Sequence, residues 1–130
     1  MSYTLKIEKK PGYLHATVRG ENTKENVMGY LSDVHNACVQ RKSSCVLIEE
    51  NLQGFSLKVT DIFQIASEAC KDVAPVLNRV AYVDMNPEHR PEPMKFAENV
   101  ATNRAINLRI FSNLAEAERW LVETSSVKNN

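Results

Sequence analysis

Apolar and polar positions alternate one for one in the first twenty residues. Tyr3, Leu5 and Ile7 are separated by Thr4 and Lys6, and Leu14, Ala16 and Val18 by His15 and Thr17. A period of two is that of half-buried strands. The KKPG segment between the runs combines a preset proline φ with a permissive glycine, so an N-terminal hairpin is expected. From Asn22 the period lengthens: Val27, Met28, Leu31, Val34, His35, Cys38 and Val39 fall three and four apart. Asn22 with Glu25 fits a variant capping box, and the helix should end near Arg41. CVLIEE, residues 45–50, opens with an unbroken apolar run, as in a strand covered on both faces.

Helical spacing returns from Leu57 to Val73 through Ile62, Ile65, Ala66 and Ala69, and Pro75 should stop it. RVAYVD, residues 79–84, reads as another central strand. A proline-broken loop, NPEHRPEPM, follows, with Pro93 at the expected first position of a helix carrying Phe96, Ala97, Val100, Ala101 and Ala105. LRIF, residues 108–111, is a short strand, and Asn113 with Glu116 caps a last helix bearing Leu114, Ala117, Trp120 and Leu121. The order is β-β-α-β-α-β-α-β-α. Helices joining successive strands demand parallel pairing with right-handed crossovers. The class is α/β with a mixed five-stranded sheet, one domain over residues 1–124 and a frayed tail over 125–130.

Composition adds limits. A chain of 130 residues should bury about two thirds of its unfolded surface, enough for a core without staples. Sixteen basic residues balance sixteen acidic ones, so no overall field draws nucleic acid, and none is expected as a partner. Cys38, Cys45 and Cys70 have no ligand-like spacing and fall in apolar stretches, as buried free thiols of a reducing compartment would. No signal-type run opens the chain, and no segment approaches the ~20 apolar residues of a membrane span, so a cytoplasmic protein without a transmembrane segment is expected.

Three stretches carry a family likeness: LQGFSLKVTDIF after the central strand, RVAYV, and KFAENVATNRAINLRIFSNLAEAERWL near the end. Together they resemble the SpoIIAA-like branch of the STAS domains (sulphate transporter and anti-sigma-factor antagonist), over nearly the whole chain. The resemblance implies a right-handed β-α superhelix with strands in sequential order. It also implies regulation and binding of bacterial type rather than chemistry. Two positions depart from it. Anti-sigma-factor antagonists carry an Asp-Ser-Ser-Gly type phosphoacceptor motif after the central strand, where this chain has Gly54, Phe55, Ser56 and Leu57. Relatives often have glycine between the third helix and last strand, where Ala105 stands here.

Ser56 has two readings: an N-cap accepting a backbone N–H, or a phosphoacceptor whose new charge the helix N-terminus would accommodate. Phe55 either anchors a partner or folds back on the core. Parallel strands should bring loops 50–57 and 84–93 to one edge, where open α/β sheets bind ligands. Glu49, Glu50, Asp84, Glu88, His89, Arg90 and Glu92 lie on or near it, either as a solvated charged loop or as a metal or acid–base cluster. Their spacing favours the former, and no metal or cofactor is assigned. His15 and His35 read as structural. The scattered glycines at 12, 20, 29 and 54 make no P-loop or dinucleotide fingerprint, and no catalytic residue or enzyme activity is assigned.

The function expected is therefore a non-enzymatic STAS-like module that binds a protein partner, or itself as a dimer, at the strand C-terminal edge. Its candidate contact residues are Phe55, Ser56, Leu57, Asp84, His89 and Arg90. The alternative is a carrier or sensor of an apolar small molecule or lipid, with peripheral membrane contact. It rests on the small residues of the second and third helices: Ala66, Ala69, Cys70, Ala74, Ala97, Ala101 and Ala105. Such residues pack a helix closely onto a sheet, or let two helices part around a ligand.

Overall fold

The computed structural model describes residues 3–73 and 77–128. Ala74, the Pro75 stop and residues 129 and 130 of the expected tail lie outside the described residues, as does the side chain of Cys70. Strands β1 (Tyr3–Lys10), β2 (Tyr13–Glu21), β3 (Cys45–Gln53), β4 (Arg79–Asp84) and β5 (Leu108–Phe111) form one sheet in sequential order. β1 pairs antiparallel with β2, and every later pair is parallel. The helices between them are α1 (Lys24–Gln40), α2 (Val59–Val73), α3 (Glu92–Asn103) and α4 (Leu114–Lys128). Element order and pairing are those expected from the periodicities.

Alternation sorts the core into two layers. Leu14, Ala16 and Val18 of β2 face the same way as Val46, Ile48 and Leu52 of β3 and Val80 and Tyr82 of β4. They meet Val27, Tyr30, Val34 and Cys38 of α1 and Ile65 of α2. The opposite face buries Tyr13, Cys45, Leu47, Ala81 and Val83 against Ala117 and Leu121 of α4. Farther along that face His15 meets Glu49 at 2.9 Å, a half-buried structural pair. Within the first layer α2 packs against α1 and α3, while its Ile65 joins the core beside the sheet. Phe63 of α2 stacks obliquely on Phe96 of α3, with ring centroids 6.2 Å apart.

Three helix starts differ from expectation. Thr23, not Asn22, caps α1, its side chain accepting from the Asn26 N–H. Pro91 stands at the α3 cap, so Pro93 falls at the second helical position. α2 begins at Val59, which leaves Ser56 three residues ahead of it and off the cap. Asn113 does cap α4, accepting from Glu116 N–H at 2.9 Å.

Two helices end in Schellman motifs built without glycine. Ile106 N–H returns to Ala101 O and Ala105 N–H to Thr102 O; Ser43 N–H returns to Cys38 O and Lys42 N–H to Val39 O. The αL residues are Ala105 at φ 61° and Lys42 at φ 53°, both exposed. A side chain there costs roughly 1–2 kcal/mol, and glycine's extra unfolded entropy offsets about half of that. Ala105→Gly and Lys42→Gly should each stabilise by about 0.5–1 kcal/mol and raise Tm by about 3 °C. Thermal melts that fall for both variants would contradict this account of the caps.

Candidate functional site

On β3 the inward stripe runs Val46, Ile48, Glu50, Leu52, so a carboxylate occupies a core position. Its register partner on β4 is Asp84, and on that strand Val80, Tyr82 and Asp84 share the same face. Glu50 is 4% exposed. The hydroxyl of Tyr30 donates to its Oε2 and that of Tyr82 to its Oε1, so both oxygens are held by buried donors. Burial raises the Glu50 pKa from 4.5 to about 7; the two tyrosine hydroxyls work against that shift, Asp84 adds to it and His89 opposes it. Burial first, then the charge of Glu50, pushes both tyrosine hydroxyls well above their ordinary range, so they persist as donors.

A second ring of contacts stitches the two loops at the strand C-termini. His89 Nδ1 lies 2.7 Å from Asp84 Oδ2, and its Nε2 donates to the Gly54 carbonyl at 3.0 Å. Asn86 donates to Leu52 O at 2.8 Å, while Asp84 Oδ1 accepts the Asn86 N–H at 2.9 Å. Asn22 donates to Phe55 O at 2.9 Å, and Ser56 Oγ accepts the Arg90 N–H at 3.1 Å. Gly54 makes the bend possible at φ 111°, a conformation that a side chain would strain.

All six residues singled out from sequence therefore gather at one rim. Asp84 and His89 are partly buried and central to it, and Ser56 ties loop to loop instead of capping α2. Leu57 packs against the core, Arg90 is exposed, and Phe55 stands 94% exposed rather than folded back. Ligating atoms of Glu50, Asp84 and His89 come within 4.8 Å of one another, although nothing in their spacing announced it. Each already has protein partners, so the trio reads as a structural network. Tyr30, Tyr82, Asn22 and Asn86 were not among the sequence candidates. The signal available was two tyrosines at inward positions, whose buried hydroxyls require partners.

Behind this rim a cavity of about 290 Å³ lies between the sheet and helices α1, α2 and α3. Leu31, Ile48, Ile62, Val80 and Met94 supply apolar wall, and the small side chains of Ala66, Ala69, Ala97 and Ala101 leave the space open. Glu50, Asp84, His89 and Ser56 form its polar end, at the C-terminal edge of the strands. The small residues singled out on α2 and α3 thus lie along the cavity wall.

No family model matches the chain, and no curated protein matches it. Among solved structures it is similar to an anti-sigma factor antagonist from Mycobacterium paratuberculosis, with TM-score 0.62 and 16% identity over 92% of this chain and 94% of that one. The fold is STAS-type. At that identity the likeness extends to the fold. Within it, the loop after β3 holds Ser56 at the rim, without the acidic neighbour and second serine of the phosphoacceptor motif. Among the described residues no helix is long and apolar enough to cross a membrane.

Proposed function

We propose that this chain is a non-enzymatic STAS-type module that holds an apolar small molecule between its sheet and helices α1 to α3. The observation that carries this reading is the cavity of about 290 Å³ with apolar walls and one polar end. That arrangement, mostly apolar lining with a few convergent polar groups, is the general form of a small-molecule site. An apolar void of ~150 Å³ suffices to bind benzene. The module reports to a protein partner at the rim, a role supported by Phe55, which stands 94% exposed beside the loops that close the polar end. The similar anti-sigma factor antagonist is named for an action on another protein, which agrees with a regulatory role.

Native mass spectrometry of the protein isolated from its own host tests this directly. The expected spectrum contains a bound small apolar molecule, and Ala69→Phe, which fills the wall of the cavity, should abolish that adduct while keeping the fold. Phe55→Ala should leave the adduct intact, change stability by less than about 0.5 kcal/mol, and weaken any copurifying partner by ~30-fold. A ligand-free wild-type mass, with no thermal shift from apolar probes, would remove the reading.

A further inference from the structure

The chemistry at the polar end of the cavity narrows what it can hold, and we infer that the ligand is a small apolar amine whose protonated head sits against Glu50 and Asp84. This deepens the ligand-binding reading and rests on it. Besides the phenols of Tyr30 and Tyr82, the ionisable side chains lining the cavity are the carboxyls of Glu50, Glu68 and Asp84, the imidazoles of His35 and His89, and the guanidinium of Arg90. Arg90 is exposed, so water and salt screen its charge. Glu50 is buried at the polar end, where surrounding apolar wall leaves its field unscreened.

Hydrogen-bond capacity points the same way. Each Glu50 oxygen accepts one tyrosine hydroxyl and retains room for a second donor. Tyr30 and Tyr82 have spent their only protons on Glu50, so their oxygens can only accept. His89 turns Nδ1 toward Asp84 and Nε2 toward Gly54 O, so neither nitrogen is aimed at the void. The Glu50 side of the end wall thus presents acceptors and negative charge. At the rim Ser56 keeps a hydroxyl that accepts from Arg90 N–H, and His89 is turned to Asp84 and Gly54. A ligand carboxylate would meet two carboxyl groups and no spare donor from Glu50, Tyr30, Tyr82 or His89. A protonated amine brings a positive charge and up to three donors, the charge-assisted pairing that is strongest away from water. By volume, about twice a void that takes benzene, the occupant has roughly a dozen heavy atoms.

Decylamine, decanol and decanoic acid share one chain and differ only in the head, so they separate these cases. Their affinities for the full chain are read by calorimetry at about pH 8, where the amine is a cation and the acid an anion. Decylamine should bind at least ~10-fold tighter than decanoate. Glu50→Gln should erase most of that ratio, each affinity being read relative to decanol on the same variant. Asp84→Asn, checked for folding by circular dichroism, should lower the ratio as well and serves as the second variant. Decanoate binding as well as decylamine, or a ratio that survives Glu50→Gln, overturns the amine inference alone. If none of the three probes binds, the ligand site falls with it.

Discussion

Glu50→Gln should remove a fall in stability of about 3 kcal/mol that the wild-type protein suffers between pH 4.5 and 7. The folded-state pKa is raised from 4.5 to about 7, with burial as the leading cause. The folded protein therefore holds a proton on Glu50 through a range in which the unfolded chain has released it. Where the native state binds more protons, stability falls as pH rises. The contribution is full below pH 4.5, declines across the window, and levels off above about 7. Asp84, His89, Tyr30 and Tyr82 face the same carboxyl and are present in both proteins, so the difference between the two curves reports on Glu50. Urea unfolding at intervals from about pH 4.5 to 8 measures it. Parallel curves for wild type and Glu50→Gln would mean that the carboxyl is better solvated than its burial indicates. A cationic ligand head would offset the same penalty, so ligand binding and neutral-pH stability are coupled through one side chain.

The pattern of apolar positions carried most of the fold. Alternation in β1 and β2, the three-and-four spacing of α1, and the Asn113 cap before α4 all correspond to observed elements. The strand after α1 shows where such reading stops short. Its apolar run ends at Ile48, yet β3 continues to Gln53, because Leu52 is fully buried and Glu21 pairs with Gln53. Periodicity of two was present through Val46, Ile48, Glu50 and Leu52, but the adjacent Glu49 and Glu50 suggested an exposed rim. Neither is exposed: Glu50 enters the layer under α1, and Glu49 is half-buried against His15 on the other face. Because Leu57 fits the apolar spacing, the pattern puts Ser56 at a helix start as its cap, whereas in three dimensions its hydroxyl serves the opposite loop. The cavity is harder still to read from sequence. Small residues on α2 and α3 are as a rule a sign of close packing, and what lies beside them depends on contacts between helices such as Phe63 with Phe96. Those are tertiary facts, invisible to a local pattern.

Removing both tyrosine hydroxyls should destabilise the protein by about 4 kcal/mol at pH 8 and about half that at pH 5, a dependence that packing alone would not produce. Tyr30→Phe and Tyr82→Phe keep the rings that fill the layer between α1 and the sheet, so little apolar contact is lost. What disappears is one hydrogen bond to each oxygen of Glu50. Bonds to an ionised acceptor are worth roughly 1.5–3 kcal/mol each, and those to a neutral one about 1 kcal/mol. The larger loss therefore belongs above the Glu50 pKa of about 7, where the carboxylate would be left buried without its donors. Because both hydroxyls lower that pKa, the double variant should also protonate Glu50 at higher pH and extend the falling limb of stability above 7. Carboxyl carbon chemical shifts of Glu50 followed through a titration give the midpoint independently of unfolding. An equal loss at both pH values, with an unmoved midpoint, would show that the tyrosines matter for their rings and not for the charge they hold.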